Sequence, residues 1–184
     1  MKTKLLASAV LAALFVAPVQ AQANTYVGAG LAQVNFEVSA FGLSVDLGNT
    51  TVGSLIVGYD LHPNFAVEAM AATSLSDAEK SFGDTKLTTS INSAFGFYGV
   101  GKYQFDNGFE VFAKLGMTRA DLKLKVTDSD GSMSETDSGS DISGGIGANY
   151  HATESIMLRA EYMNYYNKDS VKISGFGAGV LVKF

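Results

Sequence analysis

The segment "GFGAGVLVKF", residues 175–184, alternates two kinds of side chain. Successive residues of an extended strand point to opposite sides. Phe176, Ala178, Val180, Val182 and Phe184 therefore share one face, and Gly175, Gly177, Gly179, Leu181 and Lys183 the other. Terminal residues fray unless they are tied down, so this alternation reads as a strand paired on both sides. The same period recurs upstream. Leu55, Val57, Tyr59 and Leu61 oppose Ser54, Ile56, Gly58 and Asp60, and Phe109, Val111, Ala113 and Leu115 oppose Glu110, Phe112, Lys114 and Gly116. In each case one face is apolar and the other is mostly small or charged.

Extending this reading from residue 25 onward gives strands near residues 25–35, 50–61, 65–73, 90–105, 109–126, 142–150, 155–165 and 171–184. Eight is an even number, and the connections take turns. Tight links follow the second, fourth and sixth strands: His62-Pro63-Asn64, Asp106-Asn107-Gly108 and His151-Ala152-Thr153-Glu154. Longer polar segments near 38–49, 74–89, 127–141 and 166–170 follow the others. Short turns on one rim and long loops on the other are the pattern of an outer membrane barrel, with the short turns periplasmic.

Composition narrows the choice further. Cys and Trp are absent, Pro is only 2, Gly is 20, and Tyr and Phe number 8 and 12. No segment after the first 23 residues has 18 consecutive apolar residues, so no helix is expected to span a membrane. A spanning structure must then be a closed barrel, because in lipid only helices and closed sheets satisfy every backbone group. The expected fold is all-β, an eight-stranded antiparallel up-and-down transmembrane β-barrel. A soluble barrel would turn its apolar face inward, whereas here charges share a face with glycines, which fits a narrow polar lumen. Tyr59, Phe65, Tyr103, Phe105, Phe109, Tyr150 and Phe184 fall on the apolar face within a few residues of the short turns, as a periplasmic aromatic girdle would. One place departs from the pattern: beyond Leu31 the apolar face continues as Gln33, Asn35 and Glu37, while Val34, Phe36 and Val38 take the other side. Either the strand leaves the bilayer near Ala32 or a bulge flips its parity.

The N-terminus sets the compartment. Lys2 and Lys4 precede an apolar run from Leu5 to Val16, and Val19-Gln20-Ala21 and Ala21-Gln22-Ala23 are small-x-small cleavage sites. Residues 1–23 are read as a signal peptide cleaved after Ala21 or Ala23, and residues 24–184 as one barrel domain. Loss of Lys2 and Lys4 takes Lys and Arg from 13 to 11 against 18 Asp and Glu, so the net charge moves from −5 to −7. An acidic chain is a poor partner for nucleic acid.

"GYDLHPNFAVEA" (residues 58–69), "DNGFEVFAKLG" (106–116) and "GGIGANYHATESIMLRAEY" (144–162), with the terminal Phe, resemble the transmembrane domain of the OmpA family and its small OmpX-type, porin-family relatives. The likeness covers the chain after the leader. It implies a lumen charge network containing Glu68 and Arg159, with Lys114 at the matching basic position. Gly30 and Val100 stand where the family has inward basic residues, although Lys102 is near, which implies a thinner or rearranged network. Because the sequence ends with the eighth strand, a periplasmic cell-wall-binding domain is not expected. The likeness also implies that Phe184 acts as the signal read by the outer membrane assembly machinery. Partners implied are outer membrane lipids including lipopolysaccharide, and host or surface ligands met by the loops, with roles in envelope integrity, adhesion or resistance to host defences. A monomer is expected.

Parity alone places Glu68, Glu110, Glu161, Lys102, Lys114 and Arg159 inside. A buried charge left unpaired is costly, so these groups are expected to pair as structural filling. Eight strands leave an interior just wide enough for side chains, which disfavours catalysis there and a wide pore; a small gated conductance is the alternative function. A lipid A hydrolase would need a His-based group near the outer rim. The only two histidines, His62 and His151, lie in the short turns. No enzyme activity, cofactor or metal is expected. "TDSDGSMSETDSGSD" (127–141) resembles a calcium loop only at its start, since the later ligands and terminal Glu are missing, so it reads as a solvated loop or a weak divalent-ion bridge to lipopolysaccharide. Arg119, Lys123 and Lys125 below it are candidates for lipid A phosphates or for interface anchors.

Overall fold

The computed structural model describes residues 24–40, 43–76, 78–82, 85–128, 131–168 and 171–184. The leader expected at 1–23 and parts of several connections lie outside the described residues. The strands are β1 (Thr25–Ala40), β2 (Leu43–His62), β3 (Phe65–Ser74), β4 (Ala78–Phe82), β5 (Thr85–Gln104), β6 (Phe109–Asp128), β7 (Gly131–His151), β8 (Ile156–Lys168) and β9 (Val171–Lys183). They form one antiparallel sheet in the order β3-β2-β1-β9-β8-β7-β6-β5-β4, and β3 also pairs with β5. That extra pairing closes the sheet. β4 follows β3 in sequence and pairs with the far end of β5, from Ala78↔Thr89 to Phe82↔Thr85. The barrel therefore has eight staves, as expected, and β1 pairs with β9 from Tyr26↔Lys183 to Val38↔Val171. The Phe184 N–H adds a bond to Thr25 O at 3.0 Å.

At the short-turn rim, local chemistry explains each reversal. Gly108 adopts φ +82°, which a residue with a Cβ tolerates poorly, and Asn107 Oδ1 accepts the Phe109 N–H at 3.2 Å. Thr153 Oγ1 accepts from the Ser155 and Ile156 N–H groups at 3.3 and 2.9 Å. Asn64 donates its side-chain amide to Lys102 O at 3.1 Å, which ties this turn to β5.

The other rim departs from the sequence reading. The segments 38–49, 74–89, 127–141 and 166–170 are not chiefly loops: most of their described residues lie in strands. β6 and β7 remain paired to Asp128↔Gly131, so the segment read as an acidic loop is mainly the first half of β7. Backbone pairing persists because a ladder needs only its own N–H and C=O groups. The apolar alternation fades because water, instead of lipid, meets the outer face.

β6 makes the change of solvent visible. Its outward residues Phe109, Val111, Ala113, Leu115 and Met117 are apolar, and Arg119 follows them. Eight residue steps at about 3.4 Å, tilted by about 40°, span roughly 21 Å, close to the apolar band of a membrane barrel. Leu115 and Phe97 are 66% and 72% exposed, as lipid-facing side chains are when no lipid is present. On β1 the outer face turns polar at Gln33 while Val34 and Phe36 stay buried inside. The parity therefore does not flip near Ala32. The strand leaves the apolar band there, and the register shift comes later, between Phe36 and Glu37, where the extra residue, Leu47, belongs to β2.

Inner-face glycines serve bulky neighbours. A Cβ on Gly58 would lie 2.1 Å from the Tyr26 ring, one on Gly147 2.5 Å from Phe112 Cζ, and one on Gly28 2.1 Å from Leu181 Cδ2. The interior is thus less polar than the glycine-rich pattern suggested. Tyr26, Phe112, Met157, Met163 and Leu181 form an apolar cluster around the charges, and Val34, Phe36, Val52, Ile91 and Ile173 form a second one above them.

Candidate functional site

The inner charges sit on the lower halves of β2, β3, β5, β6, β8 and β9, each placed inward by strand parity. Glu68, Glu110, Lys114 and Arg159 are buried. Two groups emerge from the distances. In the upper group Arg159 Nη2 lies 2.8 Å from Glu68 Oε1, Lys114 Nζ lies 2.7 Å from Glu161 Oε2 and 3.7 Å from Glu68 Oε2, and Tyr26 Oη donates to Glu68 Oε1 at 2.7 Å. In the lower group Asp60 receives Lys102 at 2.7 Å and Lys183 at 2.8 Å, and Lys102 lies 3.6 Å from Glu110 Oε2.

Asn149 joins the two groups. Its amide donates to Glu110 Oε1 at 2.6 Å and its carbonyl oxygen accepts from Arg159 Nε at 2.9 Å. A continuous polar chain thus crosses the barrel, with four carboxylates facing four cations. Matched charge is what makes burial tolerable, because each desolvated ion needs an opposite partner and filled hydrogen-bonding positions. Aromatic faces supply further support: the Arg159 guanidinium carbon lies 4.5 Å from the Phe112 ring centre and Lys114 Nζ 5.0 Å from that of Tyr98. Tyr98 Oη, Thr118 and Ser143 form a neutral hydroxyl chain at 2.6 and 2.7 Å.

All six residues read from sequence as a lumen network meet in this chain of contacts. Sequence reasoning left out four other members: Asp60, Lys183, Asn149 and Tyr26. Parity already put Asp60 and Lys183 on the inner face, so their signal was present; Asn149 and Tyr26 carry no charge and gave none. Gly30 and Val100 both face inward, and Val100 is set directly opposite Lys114 of β6.

The seven aromatic residues read as a girdle are all exposed near the short-turn rim. Some of them pair: Tyr103 and Phe105 are 5.1 Å apart edge-on, and Phe109 and Tyr150 are 5.0 Å apart. At the other rim Arg119 and Lys123 are exposed, while the side chain of Lys125 lies outside the described part of the structure. Of the acids in 127–141, Asp130 and the side chain of Asp128 also lie outside it. Asp137 and Asp141 accept the N–H groups of Ser138 and Ile142, each at 2.8 Å. Among the described residues no group of acids and histidines is arranged to hold a metal. His62 and His151 lie at the short-turn end, His151 Nε2 4.0 Å from Glu110 Oε2.

The fold recurs in proteins of remote sequence. Ail of Yersinia pestis superimposes with a TM-score of 0.60 at 15% identity, covering 89% of this chain and 100% of that one. The same protein, in complex with the heparin analogue sucrose octasulfate, gives 0.59 at 17%, covering 88% and 99%. The N-terminal β-barrel domain of OprF from Pseudomonas aeruginosa gives 0.55 at 12%, covering 85% and 97%. No curated protein sequence matches the chain. The model of the outer membrane protein β-barrel domain matches residues 7–184. The closed eight-stave sheet, its lipid-facing belt and that match agree, and the chain belongs to the outer membrane protein β-barrel domain family.

Proposed function

We propose that this protein is a monomeric outer membrane barrel that supports the envelope and meets ligands outside the cell through the strand extensions above the membrane. The observation that carries this reading is the β6–β7 hairpin, which stays paired to Asp128↔Gly131, well beyond the last lipid-facing residue, Met117. Such a wall holds its exposed side chains on a rigid scaffold, where surface binding residues are usually found. Arg119 and Lys123 are exposed at its base, where they would meet phosphate or sulfate groups of lipopolysaccharide or of a sulfated glycan. The complex of Ail with a heparin analogue makes a polyanion a reasonable class of ligand.

Two features weigh against other activities. The ion-paired interior opposes a standing pore, and both histidines lie at the end away from the lipid A headgroups, which opposes a His-based deacylase. Residues 1–23 belong to the same proposal as an export leader, and the mass of the mature protein distinguishes an N-terminus at Gln22 from one at Asn24.

The test uses cells producing the full chain or a variant with residues 122–138 replaced by a short turn. The trimmed barrel is expected to keep its heat-dependent gel mobility and envelope tightness but to lose adherence to immobilised heparin. Complete deletion is expected to make the envelope leaky. Unchanged adherence after trimming, with an intact envelope after deletion, refutes the proposal.

A further inference from the structure

Above the charge network the barrel encloses a cavity of about 420 Å³, within the size range of small-molecule sites. Its wall is apolar, made by Val34 and Phe36 of β1, Val52 of β2, Ile91 of β5 and Ile173 of β9. Arg159 and Glu161 form its floor, and Glu135 and Asp137 of β7 stand at its mouth. Along β1 the lining runs from Ala29 to Val38. At about 3.3 Å per residue, foreshortened by a tilt near 40°, that is a slot roughly 23 Å long. Its length for its volume suits one extended chain better than a globular or polycyclic molecule.

The wall is unzipped at one place. β7 and β8 pair only between Gly144↔Asn164 and His151↔Met157. Above that point β7 continues against β6 alone, while β8 runs on to Lys168 against β9, with a bulge between Asn164 and Tyr166. A side chain bridges the two edges: Asp141 Oδ2 accepts the Asn167 N–H at 2.9 Å. Gly139, whose missing Cβ would sit 3.4 Å from the Tyr166 ring, lies on the opposite edge. Gly139, Tyr165 and Tyr166 also line the cavity, so the seam borders it directly.

The floor states what the inner end of an occupant must offer. Arg159 is 5% exposed, and its Nη1 is buried without a hydrogen-bond partner, a costly condition for a charged donor. The surrounding ions already balance, two carboxylates against two cations, so an added carboxylate would stand uncompensated beside Glu68 and Glu161. A neutral oxygen satisfies Nη1 without that cost.

From these features we infer that the upper barrel is a binding site for a neutral single-chain amphiphile, a free alkyl alcohol in chemical class, with its hydroxyl on Arg159 Nη1 and its tail between Val34, Ile91 and Ile173. This inference stands apart from ligand capture by the outer hairpins.

The test uses the full barrel in phospholipid nanodiscs, irradiated with dodecanol carrying a mid-chain diazirine, with adducts located by mass spectrometry. Adducts are expected on Val34, Phe36, Ile91 or Ile173, competed by unlabelled dodecanol and at least tenfold weaker with the matching dodecanoate. Ala94→Phe, which fills the wall, is expected to remove them while adducts on lipid-facing Phe97 and Leu115 and the heat-dependent gel shift persist. If that variant does not fold, Ala72→Phe, beside it on the neighbouring strand β3, makes the same test. Adducts confined to the lipid face overturn the inference, as do interior adducts that survive the filling variant or that arise equally from a diazirine-bearing phospholipid.

Discussion

Replacing Glu68 by Gln isolates the charge balance of the barrel interior. The carboxylate holds Arg159 at 2.8 Å and Tyr26 at 2.7 Å through one oxygen and faces Lys114 at 3.7 Å through the other. Gln keeps the volume and an acceptor for Tyr26 but leaves Arg159 and Lys114 facing Glu161 alone. Removing one partner of a buried ion pair costs about 3–5 kcal/mol. The lower end applies here, because Glu161 still lies 2.7 Å from Lys114. The chain has no Trp for fluorescence, so the assay is urea unfolding in lipid vesicles with the folded fraction read from the mobility of unheated samples. With a slope of about 2 kcal/mol/M, a loss of about 3 kcal/mol lowers the midpoint by roughly 1.5 M. Adding Arg159→Met restores neutrality and keeps apolar packing on Phe112, so the double variant is expected to recover at least half of that loss. A midpoint within about 0.3 M of the parent for Glu68→Gln, or additive losses in the double variant, would refute the reasoning.

Two further substitutions probe the wall. A Cβ on Gly116 would lie 1.8 Å from Phe97 O, a backbone atom that cannot swing aside, whereas Gly101 has nothing within 4 Å; Gly116→Ala is expected to lower the fraction recovered in the heat-sensitive folded band sharply, and Gly101→Ala to change stability by less than about 0.5 kcal/mol. Ala113 lies midway along the outer apolar run of β6, so Ala113→Arg is expected to destabilise by about 2–4 kcal/mol in bilayers, while Asn35→Arg, above the belt, leaves the unfolding midpoint unchanged.

How much could be read beforehand differs from element to element. Wherever lipid met one face, as from Phe109 to Met117, the alternation was strict and the strand was legible. Beyond the bilayer the same β6 reads Arg119, Ala120, Asp121, and the pattern stops although the strand does not. The polar composition of 127–141 suggested a loop because sequence patterns report burial, while strand pairing is made by the backbone.

The site divides in the same way. Parity alone sorted Glu68, Lys114 and Arg159 to the inside, since a period of two leaves only two faces. Pairing and burial could not be read from it. That Asn149 would bridge two charged groups, that Tyr26 would donate to Glu68, and that inner glycines would make room for Tyr26 and Phe112 depend on which residues the closed sheet sets side by side. The sequence by itself determined a closed barrel with an apolar outside and charges within, because a bilayer imposes that alternation residue by residue. Only the tertiary structure decided how those charges neutralise one another, how far the walls rise above the membrane, and where β7 and β8 part, because these follow from register between strands remote in the chain.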